Sequence, residues 1–156
     1  MTEKELYRPN VAMIIVSRYY PHKKEIFLAQ RNDLIDIWQF PQGGIDSGEE
    51  VREALFRELL EEIGTDKVEV IAEFPEWISY DFPPRIAQSM KPFIGQKQRY
   101  FLVKLQEDAV IDIKTEEPEF IDYKFVSVDE ALNLSASFKK DVYTSVINYF
   151  KEEGLL

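Results

Sequence analysis

Glu58, Glu61 and Glu62 are the side chains of this sequence best suited to chemistry. They stand three and four positions apart, so on a helix they share one face within a single turn. Carboxylates gathered in this way are hard oxygen ligands for divalent cations, which keep coordination positions open for phosphate oxygens. Their location is a costly one. The spacing predicts a helix over residues 49–63, and the three glutamates then crowd its C-terminal end, where the macrodipole is already negative. A cation among them would remove that cost. A solvated acidic face, relieved by Arg52 and Arg57, is the competing reading, and the cluster alone does not choose between them.

The helix that must carry the cluster is well marked. Ser47-Gly48-Glu49-Glu50 fits a capping box, with Ser47 accepting from a backbone N–H near Glu50. Val51, Ala54, Leu55, Leu59 and Ile63 form an apolar stripe at helical spacing, and Gly64 supplies the stop. Upstream, Gln42-Gly43-Gly44 predicts a loop of unusual backbone freedom, following a brief extended piece over residues 38–40 that ends at Pro41. Trp38 and Phe40 read as packing residues that position this loop. Buried strands are expected over residues 11–16 and 26–30, separated by a turn at Tyr19-Tyr20-Pro21-His22. Further strands are expected over residues 68–74 and 99–105, with Pro75, Pro83 and Pro84 breaking the region between them. A last short strand covers residues 123–126. Residues 139–153 read as an amphipathic helix with Val142, Val146 and Phe150 along one face. The pattern points to an α+β architecture, or a sheet sandwiched by helices.

Composition narrows the possibilities. A chain of 156 residues with 45% hydrophobic and 13% aromatic residues fits one folded domain over residues 1–156. It contains no cysteine, which excludes disulfides, thiolate nucleophiles and sulfur-rich zinc sites. Residues 1–8 are polar and the apolar runs are short, so neither a signal peptide nor a membrane span is expected. A cytoplasmic setting, with no membrane partner, follows as the expectation. The net charge of −10 argues against binding along a nucleic-acid backbone through many cations. It leaves room for an anionic substrate held at one point. Arg85, Lys91, Lys97, Arg99 and Lys104 fall in one stretch, and Lys139 and Lys140 sit together. His22, the sole histidine, lies in the expected turn and is assigned no role.

The spacing around the acidic cluster is more specific than the cluster. Gly43, Glu49, Arg57-Glu58-Leu59, Glu61-Glu62 and Gly64 together resemble the Nudix box, with Thr65 departing from the usual aliphatic residue at a packing position. This resemblance implies the Nudix fold, a mixed β-sheet sandwiched between α-helices, and hydrolysis of a phosphoanhydride bond with Mg²⁺ or Mn²⁺. By motif position, Glu58, Glu61 and Glu62 would be metal ligands, helped by the backbone carbonyl of Gly43. Glu49 and Arg57 would form a supporting ion pair.

Longer segments resemble the RNA pyrophosphohydrolase branch of that family, itself similar to dinucleoside polyphosphate hydrolases. They are Tyr7-Arg8-Pro9-Asn10-Val11, residues 38–45, Gly95-Gln96-Lys97-Gln98 and residues 137–143. The resemblance implies as substrate the 5′ end of an RNA, carrying two or three phosphates. Diadenosine tetraphosphate and related nucleotide polyphosphates are the alternative, and a silent nucleotide-binding module a more distant one. Arg8 would meet phosphate or RNA, as the geometry of its guanidinium allows, Lys139 would hold the 5′ end of the RNA, and Phe138 and Arg31 would flank a base. Tyr80 matches a family tyrosine near the RNA. Glu119, in Pro118-Glu119-Phe120, resembles a glutamate of a distal acidic loop that ligates metal or activates water. Glu62 is the first choice for the base and Glu119 the alternative. No protein partner is implied.

Overall fold

Along residues 11–16 every side chain is buried, because the strand they form is covered on both faces. Odd positions Val11, Met13 and Ile15 pack into one core with Ala54, Leu55, Leu59 and Ile63. Even positions Ala12, Ile14 and Val16 pack into another with Val142, Val146, Ile147 and Phe150. Residues 26–29 and 100–103 alternate between the same two cores. This is the two-residue period of a strand read in a setting without a solvent face.

The structure, a computed structural model, describes residues 6–33 and 36–156; the first five residues of the polar opening segment lie outside them. The strands are β1 (Tyr7–Val16), β2 (Ile26–Arg31), β3 (Trp38–Gln39), β4 (Gln42–Gly44), β5 (Val68–Glu73), β6 (Ile78–Asp81), β7 (Gly95–Leu105) and β8 (Phe120–Val126). The helices are α1 (Val51–Ile63), α2 (Pro84–Ser89), α3 (Val128–Leu134) and α4 (Lys140–Glu152), with a 3₁₀ turn at Ser137–Lys139 before α4. One sheet runs in the order β3-β2-β1-β7-β5, with β4 on β1, β6 on β7 and β8 on β2. β1 and β7 are parallel, in register from Tyr7 opposite Gly95 to Val16 opposite Lys104, whereas the other pairs are antiparallel. The sheet is therefore mixed, with α1 against one face and α4 against the other, as expected for an α+β sandwich. Among the described residues no helix is long and apolar enough to cross a membrane.

Three local expectations are corrected. Helix α1 starts at Val51, and its capping is shifted from Ser47 to Glu50, whose backbone N–H donates to Glu53 Oε1 at 3.2 Å. Gly48 adopts φ +79°, a conformation glycine takes without penalty. The chain thus turns before α1 and leaves Glu49 outside it. Second, Gln42–Gly44 is a strand, with Asn10, Val11 and Ala12 opposite Gly44, Gly43 and Gln42. Third, Pro84 opens α2, because a missing N–H costs nothing at the first helical position.

Candidate active site

The framework of the site is built on Arg57. Its Nε donates to Glu49 Oε2 at 2.7 Å, and Nη2 to Glu49 Oε1 and the Gly44 carbonyl, both at 2.8 Å. Nη1 donates to Glu58 Oε1 at 2.8 Å and Glu61 Oε2 at 3.2 Å. A guanidinium has five N–H donors in a fixed fork, and every one is used. They tie α1 to the β4 strand and to the loop before the helix. Lysine could not reproduce this arrangement.

Hydrogen bonds from Arg57, its largest influence, hold the Glu49 carboxyl down to about 2. Since this value is depressed by folding, the pair stabilises the protein fully above the ordinary carboxyl value of 4.5. The contribution is lost as pH falls towards 2. The expected result is that urea midpoints of the wild type and Glu49→Gln differ most at pH 6 and converge by roughly pH 2. A gap that stays constant across this range would remove the ionised pair as its cause.

Glu58 and Glu62 point from the buried side of α1 and are 7% and 4% exposed. Burial pushes Glu58 up to about 7, against the pull of Arg57 and with a further push from Glu61 and Glu119. Burial likewise raises Glu62 well above the ordinary range, reinforced by Glu119 and Glu58. Glu62 Oε2 accepts the Gln42 backbone N–H at 3.1 Å, while its Oε1 is buried and, among the described residues, meets no hydrogen-bond donor. Glu61 is exposed. Among the described residues these carboxylates do not converge into a closed cage. Gly43 presses against the cluster, since a Cβ there would fall 1.9 Å from the Glu58 carboxyl carbon. Gly43→Ala must therefore displace Glu58, at little cost to the fold because a carboxylate tip can swing aside. A loss of roughly tenfold in kcat at unchanged Tm is expected, as misplacement by about 1 Å can cost more than that. Wild-type activity in Gly43→Ala would show that the close approach is not needed.

Glu58, Glu61, Gly43 and Glu119 border a cleft of about 600 Å³, together with Arg8, Arg31, Tyr80, Phe138 and Lys139. Glu62 is not part of its lining but accepts a hydrogen bond from the backbone N–H of Gln42, which is. The fold therefore sets the other residues anticipated from the sequence for metal, substrate and base around one cleft. Glu119 is exposed and precedes β8; its loop is held by Asn32, which donates to the Glu119 and Pro118 carbonyls at 2.9 and 2.6 Å. Arg8 lies over Gly44, where a Cβ would come within 2.3 Å of Nη2, and has no ion pair among the described residues. Arg31 is held by both oxygens of Asp33, at 2.8 and 2.6 Å. These bonds use the edge of the guanidinium, whose charge still acts on Lys139.

Lys139 is 4% exposed, and burial lowers its ammonium to about 7, with Arg31 adding to the effect and Glu62 and Glu119 opposing it. Its Nζ donates to Gln42 Oε1 at 3.2 Å and lies 5.7 and 5.9 Å from the ring centroids of Tyr80 and Phe138. Tyr80 donates its hydroxyl to Gln96 Oε1 at 2.7 Å. Packing holds the glycine segment, as anticipated for Phe40: its ring packs at a 45° tilt 4.4 Å from that of Tyr143, whose hydroxyl accepts the Phe40 N–H at 3.3 Å.

Several cleft residues had not been anticipated. Gln42 and Gln96 line it as polar neighbours of Lys139 and Tyr80, and Arg85 of α2 stands on its rim. The two-residue spacing of Gln96, Gln98 and Tyr100 was the available signal, because it places all three on one strand face.

Comparison with known proteins agrees with this geometry. The NUDIX domain model matches residues 6–146. A protein of Nitratiruptor sp. described as an RNA pyrophosphohydrolase is 60% identical over 152 residues, covering 97% of this chain and 98% of its own. One of Campylobacter jejuni with the same description is 56% identical over 156 residues and 100% of both chains. Among solved structures, the E. coli dihydroneopterin triphosphate pyrophosphohydrolase superposes with a TM-score of 0.73 at 21% identity, over 91% of this chain and 98% of that one.

Proposed function

The chain belongs to the Nudix family, and from that membership we propose that it is an RNA pyrophosphohydrolase that converts 5′-triphosphate or diphosphate RNA ends to 5′-monophosphates. One arrangement carries the reading. The carboxylates of Glu58, Glu61 and Glu119 share a cleft with cations that include Arg8 and Lys139, in a chain 60% identical over nearly its whole length to a protein of that description. In the reaction, water attacks a phosphorus of the anhydride that joins the first and second phosphates of the RNA end, and that P–O–P bond breaks. The RNA keeps one phosphate, and pyrophosphate leaves a triphosphate end, or orthophosphate a diphosphate end.

Nudix hydrolases require a divalent metal, and the donor set here fits one. It is all oxygen, and among the described residues the buried Glu62 Oε1 meets no hydrogen-bond donor. Glu58, Glu61, Glu62, the Gly43 carbonyl and Glu119 would hold Mg²⁺ or Mn²⁺, whose chemistry is to neutralise phosphate charge and acidify water. Arg57 keeps Glu58 and Glu61 in place while its pairing with Glu49 fixes the helix, the supporting role that ligand carboxylates need. Glu62 takes the proton of the attacking water, with Glu119 as the alternative. Burial raises Glu62 in the direction that a base working near neutral pH requires. Arg8 and Lys139 bind the 5′ phosphates, and Phe138 and the flat face of Arg31 flank a base, with Tyr80 beneath them. A cytoplasmic setting suits such a substrate.

The test is the release of phosphate from 5′-triphosphorylated RNA with and without a chelator. Release that stops with chelator and returns with Mg²⁺ or Mn²⁺ is the expected result. Binding of nucleotide without any release would identify a silent module instead.

A further inference from the structure

A chain of amide side chains that the proposed reaction does not use runs from the cleft lining, where Asn10, Gln42 and Gln96 stand, into the interior behind it. Gln98, on β7, is 0% exposed and does not border the cleft. Its Nε2 donates to Asn10 Oδ1 and to Gln42 Oε1, both at 2.8 Å, and its Oε1 accepts from the Tyr100 hydroxyl at 2.8 Å. Both ends of this amide are therefore engaged in a packed interior, where a reversed or unpaired polar group is penalised. Gln42 Oε1 also accepts from Lys139 Nζ at 3.2 Å, the only hydrogen bond of that ammonium among the described residues. At the far end, Gln42 Nε2 reaches Gln96 Oε1 at 3.5 Å.

An ammonium has three donors and no acceptor. In its protonated form Lys139 can rest against Gln42 only while that amide shows it oxygen. The choice is made one residue deeper: the NH₂ of Gln98 faces the same oxygen, and the Tyr100 hydroxyl on the Gln98 carbonyl keeps that NH₂ turned outwards. Lys139 spends one donor on Gln42 and keeps two for the cleft.

We infer that Gln98 is a positioning residue which, acting through Gln42, orients the Lys139 ammonium towards the phosphates of the bound 5′ end. This inference rests on the reading of Lys139 as a phosphate contact, and goes beyond it by assigning what aims the charge. A merely space-filling Gln98 would be replaceable by methionine, which has similar length and no donor.

The experiment is a double-mutant cycle on triphosphorylated RNA with wild type, Gln98→Met, Lys139→Met and the double variant, kcat and KM being read separately and Tm recorded for each. Gln98→Met is expected to raise KM roughly tenfold and to leave kcat within about twofold, because the interaction lost is a binding one. Lys139→Met should raise KM at least as much, and the double variant should be no worse than Lys139→Met alone. Equal losses from Gln98→Met in both backgrounds, a fall confined to kcat, or wild-type kinetics in Gln98→Met would each overturn the positioning role. An unchanged KM in Lys139→Met is a separate outcome. It would remove Lys139 as a phosphate contact and the positioning role with it, while leaving the hydrolase reading to stand on the carboxylates. If Gln98→Met does not fold, Gln42→Leu takes its place in the cycle with the same expectations, since it keeps the backbone N–H to Glu62.

Discussion

Replacing Glu62 by glutamine should remove most turnover and leave a folded protein. Glutamine preserves the shape of the side chain and its acceptor for the Gln42 N–H, but withdraws the charge offered to metal and the capacity to take a proton. Losing an outer partner of a metal ligand typically costs 10–100-fold, so loss of the ligand should cost at least about a hundredfold in kcat at saturating Mg²⁺. Stability should change in the opposite direction. Burial raises the folded-state value of Glu62 above its ordinary 4.5. In metal-free protein, therefore, its contribution is fully present below that value and is lost as pH rises. Glutamine escapes the loss, and in chelator at neutral pH the Tm of Glu62→Gln should exceed that of the wild type. The two should converge at acidic pH. Activity of Glu62→Gln within a few-fold of wild type would sink the assignment of this carboxylate.

A second large effect is expected from the cations, and it should depend on the substrate. Arg8→Ala and Lys139→Ala remove contacts proposed for the RNA end, whereas Glu58, Glu61 and Glu62, proposed to hold the metal, lie on α1. Charge-assisted hydrogen bonds contribute on the order of 1.5–3 kcal/mol, so kcat/KM for RNA should fall by roughly tenfold to a hundredfold. For a small nucleotide polyphosphate the fall should be smaller, because only RNA extends beyond the phosphate site. Glu62→Gln, by contrast, should damage both substrates alike. Measuring kcat/KM on both substrates for the three variants separates recognition from chemistry. Equal losses on RNA and nucleotide would place Arg8 or Lys139 at the bond being broken or in the fold.

The acidic helix was legible because its signals are local. The stripe through Val51, Ala54, Leu55, Leu59 and Ile63, the stop at Gly64 and the glutamate spacing all lie within a few turns. Its exact start was not. Ser47-Gly48 looked like a cap by composition, but Glu49 is drawn out of the helix by an arginine two turns away, Arg57. The glycine segment was read as a loop because glycine disfavours strands; its pairing with Asn10–Ala12 is a long-range fact that overrides local preference. The same limit hid the amide chain. Asn10, Gln42, Gln96 and Gln98 look like ordinary polar residues until parallel pairing of β1 and β7 sets Asn10 beside Gln98. Likewise nothing local announced that Asp33 would hold Arg31, or that Lys139, in a charged stretch, would be buried.

Whether this cleft removes phosphates from RNA ends is decided by comparing kcat/KM on triphosphorylated RNA, diphosphorylated RNA and diadenosine tetraphosphate, side by side in saturating Mg²⁺ or Mn²⁺. An RNA end should be the preferred substrate, and the RNA product should carry a single 5′ phosphate. Efficient cleavage of diadenosine tetraphosphate with no turnover of either RNA would contradict this reading.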